Sequence, residues 1–461
     1  MQYMPITSSM FLIAETRELP MHVGGLQLFI PREGQSAGQL ADDMMEAFLT
    51  ATEIQPDFRK RPTQPFSLLG SVSWSYDDEI DYDYHVRRIA LPKPGRIREL
   101  LHYVSLNHST LLDRSKPMWE AHLIEGLADG RVALYTKIHH SVVDGVTALR
   151  ILGRSLSDDP EDRTGRAPWD ASLKRKRPPK PKPGLSQRVF GGISGAAGVA
   201  NQLAGLVPAS AQIALRSIRD PHYLAPIHGA PKTILDVPIG GARRFAAQQW
   251  ETARLRAVAA ALNLTLNDVV LAMCGGALRN YLIDQDALPD TPLLAMVPVS
   301  MHVGDEKDGN AVTAILANLA TDQADPEQRL AQLTASTRAS KEVVRGLTPL
   351  QALALGAANA SSMAFMSVPG FVSYAPSQFN VIISNVPGPQ HDLYWNGAQL
   401  DGLYPVSIPA SGCALNITIT STGRYMGFGL IGARAQVPSL QRILTHLDTA
   451  LGELEKVADI T

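Results

Sequence analysis

Apolar and polar residues along the first third of the chain follow two rhythms. "HVGGLQLFIP", "YHVRRIALP" and "RVALYTKI" have the alternation and β-branched content of strands. "AGQLADDMMEAFLTATE" and "IRELLHYVSLNHSTLLD" repeat apolar residues at helical spacing, and a further helix is predicted after Asp144, to about Ser155. Strands alternating with helices predict a mixed α/β domain. The pattern resumes near "KTILDVPIGGARRFAAQQW", with a strong helix over Asp268 to Tyr281 and a buried strand in "LLAMVPVSM". Because the chain has 461 residues, more than one ordinary core can hold, two domains are expected, 1–165 and 235–461, joined by 166–234.

The joining stretch breaks the pattern. "LKRKRPPKPKPG", Leu173 to Gly184, carries six basic residues among prolines that preclude a helix, and reads as an extended linker. Apolar residues then recur at Leu185, Val189, Ile193, Ala197, Ala200, Leu203 and Val207, and no acidic residue occurs between Ala171 and Arg219. A basic hinge followed by an apolar, acid-free helix suits an anionic membrane or a lipid-droplet surface, which gives 174–219 an expected lipid contact. A crossover helix packed on a domain is the alternative. Gly346 to Gln390 contains no charged residue. Pro349, Pro369 and Pro376 interrupt it too often for a membrane span of about 20 residues, so it is expected to face the core or to line a cavity for an apolar ligand.

Composition narrows the setting. With 45% hydrophobic residues, 19% charged residues and a net charge of -2, the chain has no global attraction to nucleic acid, and none is expected as a partner. Cys274 and Cys413 lie far apart among small apolar neighbours, which fits a reduced compartment. No basic residue precedes Arg17, and Glu15 interrupts a short apolar run, so the N-terminus does not read as a signal peptide. The expected location is cytoplasmic, peripheral on the inner membrane or on lipid inclusions.

The candidate chemistry lies in "YTKIHHSVVDGVTAL", Tyr135 to Leu149. If the strand continues through both histidines, His140 shares a face with Val132, Leu134, Thr136 and Ile138, and His139 shares one with Ala133, Tyr135 and Lys137. The first face is the more apolar. Desolvation there would keep the His140 imidazole neutral, as a general base requires. Asp144 reads either as the N-cap of the next helix or as a carboxylate that orients the histidine loop through an arginine. Gly145 either eases a turn or leaves an opening for a long substrate. A metal is the chemical rival, but the loop offers at most three donors, two of them diverging, so no metal is expected.

"HHSVVDG" resembles the HHxxxDG signature of CoA-dependent acyltransferases and condensation domains. "PMHVGGLQLF", "LDRSKPMWEAHLIEGL", "TLNDVVLAMCGGALR" and "SNVPGP" occur in the order found in the bacterial wax ester synthase/diacylglycerol acyltransferase family, and the resemblance runs from Pro20 to about Gly429. It implies an α/β fold of two chloramphenicol-acetyltransferase-like, condensation-domain-like domains forming a channel. It also implies that His140 takes the hydroxyl proton of a fatty alcohol or diacylglycerol, which then attacks a long-chain acyl-CoA, with His139 and Asp144 shaping the loop. Acyl-CoA would be a co-substrate, and no cofactor is implied. Pro117, Met118 and Trp119 match the family's PLW segment, with Trp119 read as structural. Asn267 and Asp268 match its ND motif, either capping a helix or lining the channel. Ser384 and Asn385 would meet substrate, while Pro387 and Gly388 read as conformational.

Two other functions remain open at this level. The same fold could use a carrier-protein donor. The chain could also be a non-enzymatic lipid-surface protein, for which the basic linker would matter most.

Overall fold

The computed structural model describes residues 2–63, 73–173, 229–302, 310–346 and 377–460. The proposed lipid-contacting stretch 174–219, and 347–376 of the uncharged segment, lie outside the described residues.

The first part supplies helix α1 (Ile6–Ala14), strand β1 (His22–Ile30), helix α2 (Ala37–Leu49), strand β2 (Val86–Ala90), helix α3 (Ile97–His108), strands β3 (Trp119–Glu125) and β4 (Val132–His139), and helix α4 (Gly145–Arg154). Each long segment expected from periodicity forms, within a few residues at its ends. Helix α2 begins in a capping box between Ser36 and Gln39 and buries Leu40, Ala41, Met44 and Phe48, spaced to fall on one face. Helix α4 lies on β1 because Gly25 has no side chain: a Cβ there would stand 2.7 Å from Leu152 Cδ1.

The second part supplies β5 (Arg243–Glu251), α5 (Thr252–Ala261), α6 (Leu266–Asp284), β6 (Leu294–His302), β7 (Asn310–Asn318), α7 (Pro326–Arg345), β8 (Val381–Val386), β9 (Tyr394–Trp395), β10 (Ala398–Val406), β11 (Leu415–Thr422), β12 (Tyr425–Ala433) and α8 (Arg442–Val457). Two mixed six-stranded sheets result, ordered β9-β10-β1-β4-β3-β2 and β7-β6-β8-β11-β12-β5. The first thus contains β9 and β10 from the last third of the chain. Strand β10 runs antiparallel to β1, with Leu403 opposite Gln27, and passes so close to β12 that a Cβ on Gly427 or Gly429 would strike the carbonyls of Leu403 or Pro405.

The parts are also joined by α3, whose Ser105 and Ser109 hydroxyls accept the backbone N–H groups of Phe245 and Arg243 at 2.8 and 2.9 Å. Helix α6 is buried along most of its length and packs against α7 and α8. Among the described residues no single helix is long and apolar enough to cross a membrane. The bent pair α5 and α6 passes by length and composition, but the burial of α6 marks a core helix. Cys274 and Cys413 are both buried free thiols.

Candidate active site

Strand β4 ends at His139, so His140 stands in the turn beyond it and strand alternation does not set its direction. Both faces of β4 are buried, with Ala133, Tyr135 and Lys137 as enclosed as Val132, Leu134 and Ile138. The two histidines still diverge, through the turn rather than the pleat. His139 is fully buried, while the surface of His140 is partly open.

Each histidine is pinned by its backbone: the N–H of His139 donates to Met118 O at 2.9 Å, and that of His140 donates to Met21 O at 2.8 Å. The His140 ring stacks on Phe11 of α1, with centroids 4.1 Å apart and planes 17° from parallel. Its Nδ1 is buried without a hydrogen-bond partner among the described residues. Desolvation lowers the His140 pKa to about 4, outweighing the opposing charge of Asp144. At neutral pH the ring is therefore an uncharged imidazole with a free lone pair.

The carboxylate that meets this loop is Glu15, not Asp144. Glu15 Oε1 lies 3.3 Å from His139 Nε2 and accepts the Met21 N–H at 2.9 Å. Its other oxygen accepts from Arg114 Nη2 and Nε at 2.9 and 3.1 Å. On the far side of the imidazole, the Ser141 backbone N–H donates to His139 Nδ1 at 3.1 Å, which leaves the ring proton on Nε2, facing Glu15. Burial alone would raise the Glu15 pKa. The His139 Nε2–H, the Met21 N–H and the Arg114 guanidinium overcome that and bring it down to about 2.

Asp144 is the N-cap of α4, accepting the Thr147 N–H at 2.7 Å, and among the described residues no arginine reaches it. The expected carboxylate–arginine pair exists, but it is Glu15 with Arg114. In the sequence Glu15 reads only as a charge interrupting an apolar run. Its position beside "MFLIA" is the available signal, as is Arg114 inside "LDRSKPMWE". That segment also supplies Met118 O, while Trp119 is buried, donates from its indole to Phe58 O and stacks on His85, a structural role. Gly145 has an ordinary negative φ, and a Cβ there would meet nothing within 4 Å. It faces open space, so a turn does not require it.

The second-half residues separate. Thr265, not Asn267, caps α6, in a capping box with Asp268, and Asp268 also pairs with Lys341 at 3.3 Å. Ser384 and Asn385 lie half-buried on β8, opposite Thr418 and Ile419. Among the described residues no hydrogen bond or ion pair links any of these four to the histidine loop. Pro387 and Gly388, expected to be conformational only, border an open cavity of ≈ 790 Å³ that runs beside α4. Its walls begin at Val146, just past the motif, and do not include His140. Among the described residues no three His, Cys, Asp or Glu side chains converge as metal ligands would.

Comparison with known proteins places the whole chain in a family. The wax ester synthase/diacylglycerol acyltransferase catalytic domain matches residues 5–270, and the WS/DGAT C-terminal domain matches 308–455. A putative diacylglycerol O-acyltransferase of Mycobacterium bovis is 46% identical over the whole of both chains. The O-acyltransferase WSD of Acinetobacter baylyi is 42% identical over 97% of this chain and 95% of its own. The solved wax ester synthase/diacylglycerol acyltransferase of Marinobacter aquaeolei VT8 superposes with a TM-score of 0.76 at 40% identity, covering 99% of this chain and 100% of that one. A condensation domain of the CDA synthetase, 14% identical with a TM-score of 0.56, shares the fold alone. The fold is thus the two-domain, condensation-type α/β architecture, and the chain belongs to the wax ester synthase/diacylglycerol acyltransferase family of O-acyltransferases.

Proposed function

We propose that the protein transfers a long-chain acyl group from acyl-CoA to the hydroxyl of a fatty alcohol or a diacylglycerol, with His140 as general base. The observation that carries this reading is the His140 ring itself. It is uncharged at neutral pH, partly open, and fixed by its own backbone and by Phe11 at the end of β4.

In the reaction His140 takes the O–H proton as the alcohol oxygen bonds to the thioester carbonyl carbon. The C–S bond then breaks, the sulfur leaves as CoA thiolate, and the proton on His140 returns to that sulfur. Ester and free CoA are the products. A positioned base supplies about 10²- to 10⁴-fold, and holding two substrates end to end supplies much of the rest.

Glu15 and His139 act as positioning residues. Glu15 bonds the N–H of Met21, whose carbonyl holds the His140 N–H, and it faces His139 directly. Asn267, Ser384 and Asn385 make no side-chain hydrogen bonds among the described residues and are available to substrate, as is the open space at Gly145. Asp268 we assign to the start of α6. The stretch 174–219, with its basic linker, we propose as the contact with an anionic membrane or lipid inclusion.

Purified protein given palmitoyl-CoA and hexadecanol or diolein is expected to release CoA, and His140→Ala is expected to abolish that release. Wild-type turnover in His140→Ala would refute the base assignment.

A further inference from the structure

Two fully enclosed polar side chains border the cavity beside α4 and have no hydrogen-bond partner among the described residues. Gln27, in the middle of β1, is 1% exposed, and neither Nε2 nor Oε1 has a partner; Thr420 on β11 is 0% exposed, and its Oγ1 has none. Strand register brings them toward one another: Gln27 pairs with Leu403, the Leu403 carbonyl abuts Gly427, and Gly427 pairs with Thr420. Leaving such groups unbonded costs about 1–3 kcal/mol each, and native structures rarely do so. Together they offer donors and acceptors that match an amide. A hydrocarbon chain would leave them unpaired.

The rim of the cavity is cationic. Arg150 and Arg154, one turn apart on α4, are exposed and make no ion pair among the described residues, and Arg166 and His391 stand nearby. Of the two carboxylates in the lining, Asp162 is engaged by Thr164, and Asp158 lies 4.0 Å from His391. The walls between rim and floor are apolar, from Val146, Leu149, Leu400 and Leu403. Ten residues at a rise of ~1.5 Å put Arg154 about 15 Å from the motif turn, so the cavity parallels a line from the rim toward the histidines.

Among the reactants proposed above, only the CoA thioester combines phosphates with amides between phosphate and sulfur. The acceptors are uncharged. We propose that this cavity holds the CoA arm of the donor, with Gln27 and Thr420 hydrogen-bonding a pantetheine amide and Arg150 and Arg154 meeting the phosphates. The proposal rests on the acyl-CoA reading of the function.

The test compares palmitoyl-CoA with palmitoyl-pantetheine, which lacks the phosphates, at saturating hexadecanol. Arg150→Ala/Arg154→Ala is expected to raise KM for palmitoyl-CoA about tenfold while leaving KM for palmitoyl-pantetheine unchanged. Gln27→Leu is expected to raise KM for both donors about five- to tenfold and leave that for hexadecanol unchanged. Its thermal midpoint should not fall, since an unbonded buried amide is removed. Unaltered donor KM values in both variants, or a rise confined to hexadecanol, would overturn the assignment. If wild type transfers nothing from palmitoyl-CoA, the functional reading fails separately. Calorimetric titration with CoA alone then decides the cavity: tenfold weaker binding to the arginine double variant supports it, and equal or absent binding overturns it.

Discussion

Glu15→Gln tests the clamp behind the histidine loop. Glutamine has the shape of the protonated acid, so the substitution removes the charge and little else. The Glu15 pKa falls from 4.5 to about 2 in the folded chain, with a side chain 1% exposed. At 1.36 kcal/mol per unit this corresponds to about 3 kcal/mol of stability from the ionised form. A depressed pKa contributes fully above the unfolded value and is lost as pH falls through the folded one, so the window runs from about 4.5 down to about 2. Urea unfolding should therefore find the variant about 3 kcal/mol weaker at pH 7, and roughly half as much weaker at pH 3. Activity should respond through position. The introduced glutamine can still accept the Met21 N–H, but its amide N–H₂ opposes either Arg114 or the His139 Nε2–H. A displacement of about 1 Å at His140 costs up to about 10²-fold, so kcat should drop by roughly 10- to 100-fold with KM little changed. Equal stability at both pH values together with wild-type kcat would refute the clamp.

Two further predictions concern the loop itself. Because the His140 pKa is about 4, the acid limb of kcat/KM should lie near pH 4 and the profile should be flat through neutrality. Phe11→Ala uncovers the ring, so the limb should move up by as much as about two units toward the ordinary histidine value, with activity recovering at pH 8; an unmoved limb would show that Phe11 does not maintain the desolvation. Asp144→Asn should keep activity within about twofold, because asparagine caps as well as aspartate, while Asp144→Ala should lose about 1 kcal/mol of stability. Loss of turnover in Asp144→Asn at unchanged thermal midpoint would give the carboxylate charge a role beyond the cap.

Much of the fold was legible because periodicity is local. The long strands and helices β1, α2, β4, α4, α6 and β6 form where apolar spacing put them, within a few residues at their ends. Two kinds of feature left no such trace. The crossing of β10 into the first sheet depends on backbone pairing with β1 and on glycines in β12, which a strand in either sheet could have carried. The Glu15–Arg114 pair joins residues 99 apart, and a single buried charge has no period to read. Asn267 illustrates a smaller miss: in "TLND" both Thr265 and Asn267 are good caps, and the reciprocal bond from Asp268 three residues on selects threonine.

These misses change how the HHSVVDG motif works. Sequence alone suggested one basic histidine, His140, singled out by strand alternation, with His139 and Asp144 shaping its loop. In the structure nearly every polar group of the motif is already engaged. The backbones of His139 and His140 are held by Met118 and Met21, the His139 ring sits between Ser141 and Glu15, and Asp144 is bonded to the first turn of α4. The least committed group is the partly open imidazole of His140, whose Nδ1 is buried and has no hydrogen-bond partner among the described residues. A loop fixed at two strands and a helix end cannot easily let that ring turn away. Its preorganisation is supplied by residues outside the motif, above all Glu15, Met21 and Phe11. The short spacing of HHSVVDG therefore follows from chain geometry, since one turn must connect the end of β4 to the cap of α4, and chemistry is required of only one of its side chains.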